Sequence, residues 1–303
     1  DGYWVKVTSA SELSVNDADP VNYDSDGEVI YNMHQGNNLI SYSFQSDQSI
    51  VDALGDAAAN VYAIAGAASA ALYSPINDGE DGDGWVGSLQ AFEGKKGYWL
   101  VATNAFTFSF NGTASGLTRS DKLRAVPMVY SYAQSDQQAF FFVNNATISE
   151  EPLEFDDIII AYNKNVIVGA RYWTGSMTDI PAIGIDTQGG EIYAGYCKVG
   201  DKISFKVLDA STGELISMNT DVDIEWSNML MSVINLTDQY IPTEIGLGNA
   251  YPNPFNPVTI LSYDVPFDMN ISLGIFDLRG RLVKQLVNEI REPGRYEVIW
   301  NAN

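Results

Sequence analysis

Apolar and polar residues alternate along much of the chain, and β-branched and aromatic types fill many of the apolar positions. That period of two is the signature of strands buried on one face. It predicts strands at Leu39 to Phe44, Ala139 to Val143, Asp157 to Tyr162, Val166 to Ala170 and Lys202 to Val207. Further strands are predicted at Thr259 to Val265, Asn270 to Asp277 and Arg295 to Trp300. Turn-forming runs separate them, at Asn77 to Gly84, Glu93 to Gly97 and Asp209 to Glu214. The pattern changes once. Ser49 is followed three residues on by Asp52, and Ile50, Val51, Leu54, Ala57, Ala58 and Val61 keep helical spacing, which predicts one short helix. The fold class expected is mainly β, with serial β-sandwich modules and that one helix.

An internal repeat organises the first third of the chain. Gly2-Tyr3-Trp4-Val5-Lys6-Val7-Thr8 with Leu13-Ser14-Val15 aligns with Gly97-Tyr98-Trp99-Leu100-Val101-Ala102-Thr103 with Phe108-Ser109-Phe110, at a constant offset of 95 residues. Each copy reads as a strand, a turn and a second strand. Residues 1–20 are expected to be the tail of an incomplete repeat, 21–118 a β-rich module closed by the second copy, and 119–240 a central β-sandwich. Residues 241–303 form a fourth segment, entered through Tyr251-Pro252-Asn253-Pro254-Phe255-Asn256-Pro257, whose prolines impose extended backbone. Joints are expected near Gly116 to Asp121 and Thr237 to Gly248.

The last segment carries a specific set of motifs. The proline run is followed by Ile260, Tyr263 and Val265-Pro266, then Ile275-Phe276-Asp277-Leu278-Arg279-Gly280-Arg281, then Pro293-Gly294-Arg295-Tyr296 and Trp300. This stretch, about residues 245–303, resembles the immunoglobulin-like C-terminal domain of type IX secretion cargo, a fold similar to that of flagellar hook-capping proteins. The resemblance implies an immunoglobulin-like module that marks an exported protein for the outer cell surface. The family continues beyond the Trp300 region with one or two strands and a basic tail that this sequence does not include. The Gly-Tyr-Trp modules and the region from Glu151 to Ser211 also resemble uncharacterised repeats upstream of such sorting domains, and that likeness implies no activity.

Charge narrows the partners. Sixteen Lys and Arg face 39 Asp and Glu, for a net charge of −23. Such a surface repels the phosphate backbone of nucleic acid and suits a saline exterior. The longest tempting apolar run, Val61 to Tyr73, is far short of the ~20 residues that cross a bilayer, so no transmembrane segment is expected. One cysteine, Cys197, and one histidine, His34, exclude an intrachain disulfide and a Cys/His zinc site. They also leave nucleophilic catalysis a single imidazole in a polar turn.

Candidate chemistry is accordingly sparse. Asp156 and Asp157 precede a strand and point to opposite faces, so they do not form a catalytic acid–base pair. No catalytic residue is assigned and a non-enzymatic protein is expected. No cofactor is required; calcium, which takes oxygen ligands from acidic turns, is placed at Asp78, Asp81 and Asp83. Trp173, Tyr172 and Trp85 are candidate platforms for sugar rings. Tyr3, Trp4, Val5 and Val7 are the candidate assembly strand, able to complete the open sheet of a neighbouring copy by strand addition. The function expected is that of a secreted, extracellular bacterial surface protein, structural or adhesive, with self-association or other surface proteins as partners and a strand-complemented filament as one outcome. The alternative is an accessory polysaccharide-binding region of a larger secreted hydrolase.

Overall fold

The computed structural model describes residues 29–302, apart from 43, 45, 75–83, 95, 113–122, 240, 241 and 243. The fold is mainly β, with 51% strand against 7% helix among the described residues, so its cores form between sheets. In the first part of the chain the strands are β1 (Tyr31–Met33), β2 (Gly36–Ser41), β3 (Gln48–Ser49), β4 (Val61–Ala65), β5 (Ala70–Tyr73), β6 (Trp85–Gly87), β7 (Ala91–Phe92), β8 (Gly97–Ala102) and β9 (Phe106–Phe108). Between β3 and β4 lies α1 (Ile50–Leu54). The middle carries β10 (Gln138–Ile148), β11 (Glu151–Pro152), β12 (Ile158–Asn163), β13 (Val166–Tyr172), β14 (Thr178–Ile183), β15 (Ile203–Leu208), β16 (Leu215–Thr220) and β17 (Met231–Thr237). The last part carries β18 (Gly246–Leu247), β19 (Val258–Val265), β20 (Met269–Phe276), β21 (Leu282–Arg291) and β22 (Gly294–Asn301).

These elements divide into two compact units. The first takes the chain to Asn145 with Leu153–Ile216 and Asp223–Asn235, and the second takes Ala146–Pro152, Ser217–Val222 and Leu236 onward. The segment closed by the second Gly-Tyr-Trp copy and most of the central strands, read as separate domains from the sequence, therefore fall in one unit. The physical reason is a sheet buried on both faces. Strands β2, β8, β4, β5 and β6 pair in that order, all antiparallel. One face, with Ile40, Tyr98, Leu100 and Ile64, packs on Tyr42, Phe92 and Phe110. The other face, with Ala63, Ala65, Ala70, Leu72 and Val86, packs on Phe140, Phe142, Met177, Met229 and Met231.

Local sequence explains the elements. The Ser49 hydroxyl accepts the Asp52 amide at 3.1 Å and caps α1. The helix stops at Leu54 because Gly55 turns to φ +48° and Asn111 takes over the exposed carbonyls, its amide donating to Ala53 O at 2.9 Å and its side chain to Asp52 O at 2.8 Å. The expected helical spacing to Val61 thus ends early; a 3-10 segment, Gly55–Asn60, carries the chain into β4. In the second repeat copy, Tyr98 is buried in one core while Trp99 packs against the other. Strand β10 is apolar on both sides: Phe140 and Phe142 face the shared cluster, and Phe141 meets Phe205 edge-on at 5.3 Å.

In the second unit β18, β19 and β22 form one sheet and β20 and β21 another. Tyr263, Val265 and Val287 form the buried centre, packed by Met269, Ile271, Leu273, Leu286, Tyr296 and Val298. Strand β21 lies in a stretch with no predicted strand. Its apolar residues, Leu282, Val283, Leu286, Val287 and Ile290, fall at mixed spacings that local pattern cannot distinguish from a helix.

Candidate functional surfaces

Three buried polar side chains of the first unit, Gln138, Arg171 and Asp179, converge on the turn between β4 and β5. The turn runs through small residues, Ala65 to Ala70, and its backbone groups are reached by long side chains from the middle strands. Arg171 of β13 donates to Ala68 O at 2.6 Å, and Gln138 of β10 donates to Gly66 O at 3.0 Å. Asp179 of β14 accepts the Ala70 amide at 3.0 Å, the Ser88 amide at 2.9 Å and the Ser88 hydroxyl at 2.8 Å. Arg171 and Asp179 pair at 3.3 Å with side chains 6% and 1% exposed. Burial pushes the Asp179 carboxyl up, opposed by Arg171, Ser88 and the Ala70 amide. Every one of these contacts reaches backbone or a structural partner, so the network acts as a clasp.

Asp157 works in the same way. Its carboxylate accepts the Glu154 and Ala210 amides, each at 2.8 Å, while Asp156 faces solvent and pairs with Arg124 at 2.6 Å. The two acids have separate roles, as their alternation along the chain requires.

The proposed sugar platforms are engaged by protein. Trp85 is 3% exposed and tilts against Tyr73 at 5.2 Å, and Trp173 is 7% exposed. Neither indole offers an open face for a sugar ring. The Tyr172 ring is covered by the Arg124 guanidinium, 3.7 Å from its centroid. The calcium candidates Asp78, Asp81 and Asp83, and the assembly-strand residues Tyr3, Trp4, Val5 and Val7, lie outside the described residues. Among the described residues no group of three or more His, Cys, Asp or Glu side chains is placed to hold a metal ion, and no helix is long and apolar enough to cross a membrane.

His34 sits in the exposed turn from β1 to β2, its Nδ1 2.9 Å from Gln35 O. Asn38 closes that turn, donating to His34 O and Gly36 O, each at 2.8 Å, and accepting the His34 amide at 3.0 Å. Cys197 is 1% exposed and burial pushes its thiol up to about 12, which keeps it protonated and inert.

A surface that residue-by-residue reading missed is the tip of the β20–β21 hairpin. Asp277 builds it: one carboxylate oxygen accepts the Arg279 and Arg281 amides, each at 2.9 Å, and the other pairs with Arg281 Nε at 2.7 Å. Gly280 adopts φ +76°, and its amide donates to Asp277 O at 2.9 Å. These bonds hold the Asp277 carboxyl below the usual carboxylate range, the Arg281 hydrogen bonds leading. The signal available in the sequence was the Asp-x-x-Gly turn between two apolar runs.

Comparison of the chain with protein-family models, with curated proteins and with solved structures yields no match in any of the three.

Proposed function

We propose that this chain is a non-enzymatic, secreted bacterial surface protein that acts structurally or adhesively, by binding and assembly. The observation that carries the reading is how the interior spends its polar groups. Arg171, Asp179 and Asp157 each bond to neighbouring backbone, and Trp226 Nε1 donates to Ala182 O at 2.9 Å, so these side chains hold sheets together. The resemblance of residues 245–303 to sorting-type immunoglobulin-like domains supports export to the outer surface. The charge of −23 suits a saline exterior and disfavours nucleic acid as a partner.

Self-association, including strand addition by Tyr3, Trp4, Val5 and Val7, belongs to the same reading. Calcium at Asp78, Asp81 and Asp83 would add stability by mass action and would raise the melting temperature relative to chelator. Sedimentation velocity, binding to bacterial outer surfaces and retention on insoluble polysaccharide test the proposal together. Association with itself or with cell surfaces is expected. A strict monomer held by polysaccharide would instead establish the accessory sugar-binding role.

A further inference from the structure

Charge is divided unevenly along the chain. Residues 1–243 hold 11 Lys and Arg against 32 Asp and Glu, a net −21, whereas residues 244–303 hold five against seven, a net −2. Within the second part, Arg279, Arg281 and Lys284 gather at the β20–β21 hairpin tip, all exposed, with Asp277 turned inward to fix the turn. Apolar groups share that tip. Leu278 is completely exposed at its apex, and Phe276 and Leu282, a directly opposed cross-strand pair, are 61% and 53% exposed. Gly274 makes the pair possible, since a Cβ there would meet Leu282 Cδ1 at 2.8 Å and Phe276 Cε2 at 3.2 Å.

A rigid turn that presents an apolar apex between cations loses little freedom on docking. Its complement is present on the same chain. Within the first unit, residues 154–156 expose Glu154 and Asp156 on either side of Phe155, which is 72% exposed; Asp156 also pairs with Arg124 at 2.6 Å. The geometry points to a head-to-tail contact in which the cationic β20–β21 tip of one molecule docks on the acidic, Phe155-bearing stretch of a second copy. Opposite charge favours this pairing over tip with tip or acid with acid, and two unlike surfaces on one chain propagate into a filament unless the rotation closes a ring. The inference rests on the structural, assembling role proposed above and gives that role a site.

Sedimentation velocity of the full chain tests it over a concentration series at low and high salt. Concentration-dependent association is expected at low salt and should weaken at least tenfold at high salt, where screening shortens to a few ångströms. The pair R279E/K284E leaves the Asp277–Arg281 turn intact and should abolish association, as should E154K/D156K beside Phe155. Mixing the two variants restores opposite charge at each contact and should restore association. A monomer under all conditions overturns the inference, as does association that R279E/K284E leaves unchanged. In the second case assembly survives through another surface and only the hairpin site falls. Binding of the wild type, but not R279E/K284E, to vesicles of anionic lipid without self-association would reassign the tip to a membrane surface and equally overturn it.

Discussion

Asp179 collects four donors without solvent to share them, which makes it the residue whose loss should be felt most. Removing one partner of a buried charged pair costs about 3–5 kcal/mol, because the other is left uncompensated. D179A and R171M are each expected to lower stability by that order in chemical denaturation. D179N should bring little relief, since its amide would turn an NH2 group toward donors. R171M/D179L should lose less than the sum of the single losses, although the Ala70 and Ser88 amides stay unsatisfied. Cys197 offers a second check. With its thiol at about 12, native protein should resist alkylation at mildly alkaline pH and react fully once unfolded. Asp264 offers a third. Its hydrogen bond and ion pair with Arg295, at 2.7 Å, hold its carboxyl below the usual range. A lowered folded value means stability that is present above the ordinary carboxylate pKa and lost as pH falls through the folded value. The melting-temperature gap between wild type and D264N should therefore shrink on acidification below pH about 4.

Strands β13 and β14 approach so closely that glycine is required between them. A Cβ on Gly169 would run into the Pro181 carbonyl oxygen, which belongs to backbone and cannot swing aside. G169A should destabilise by about 3 kcal/mol, the upper part of the range for overpacking, with a lower denaturation midpoint and an unchanged slope. The run Val61 to Tyr73 shows why strand existence was only partly legible. It lacks clean alternation because the β4–β5 hairpin is buried on both faces, one in the cluster with Tyr42, Phe92 and Phe110, the other against Phe140 and Phe142. Strand β21 escaped notice for a related reason: its core residues, Leu286 and Val287, are adjacent, and a register shift in its pairing with β20 breaks the period of two.

The whole molecule carries its charge mainly in residues 1–243. Self-repulsion of a net −21 should weaken the folded state at low ionic strength, so the melting temperature should rise as salt increases from about 0.01 M to about 0.3 M, where the Debye length falls from about 30 Å to under 10 Å. The same change should dissolve head-to-tail association through the β20–β21 tip, so stability and assembly are expected to move in opposite directions with salt. Calorimetry and sedimentation on one sample distinguish the two effects.

Local chemistry was enough to specify the mainly β class, the Ser49 cap, the Asp209 to Glu214 turn and the opposite facing of Tyr98 and Trp99, because alternation, caps and turns are written within a few residues of one another. The same reading put Asp156 and Asp157 on opposite faces and His34 in a polar turn. It could not place Trp85 and Trp173, since an indole at a strand end reads alike whether its face meets a sugar or another sheet. Nor could it find the Arg171–Asp179 clasp, whose contacts to Ala68, Ala70 and Ser88 span about a hundred residues of chain. Those partners meet only once both faces of the β2–β8–β4–β5–β6 sheet are covered. Tertiary packing alone decided which apolar face each strand hides and which charges are drawn inside with it.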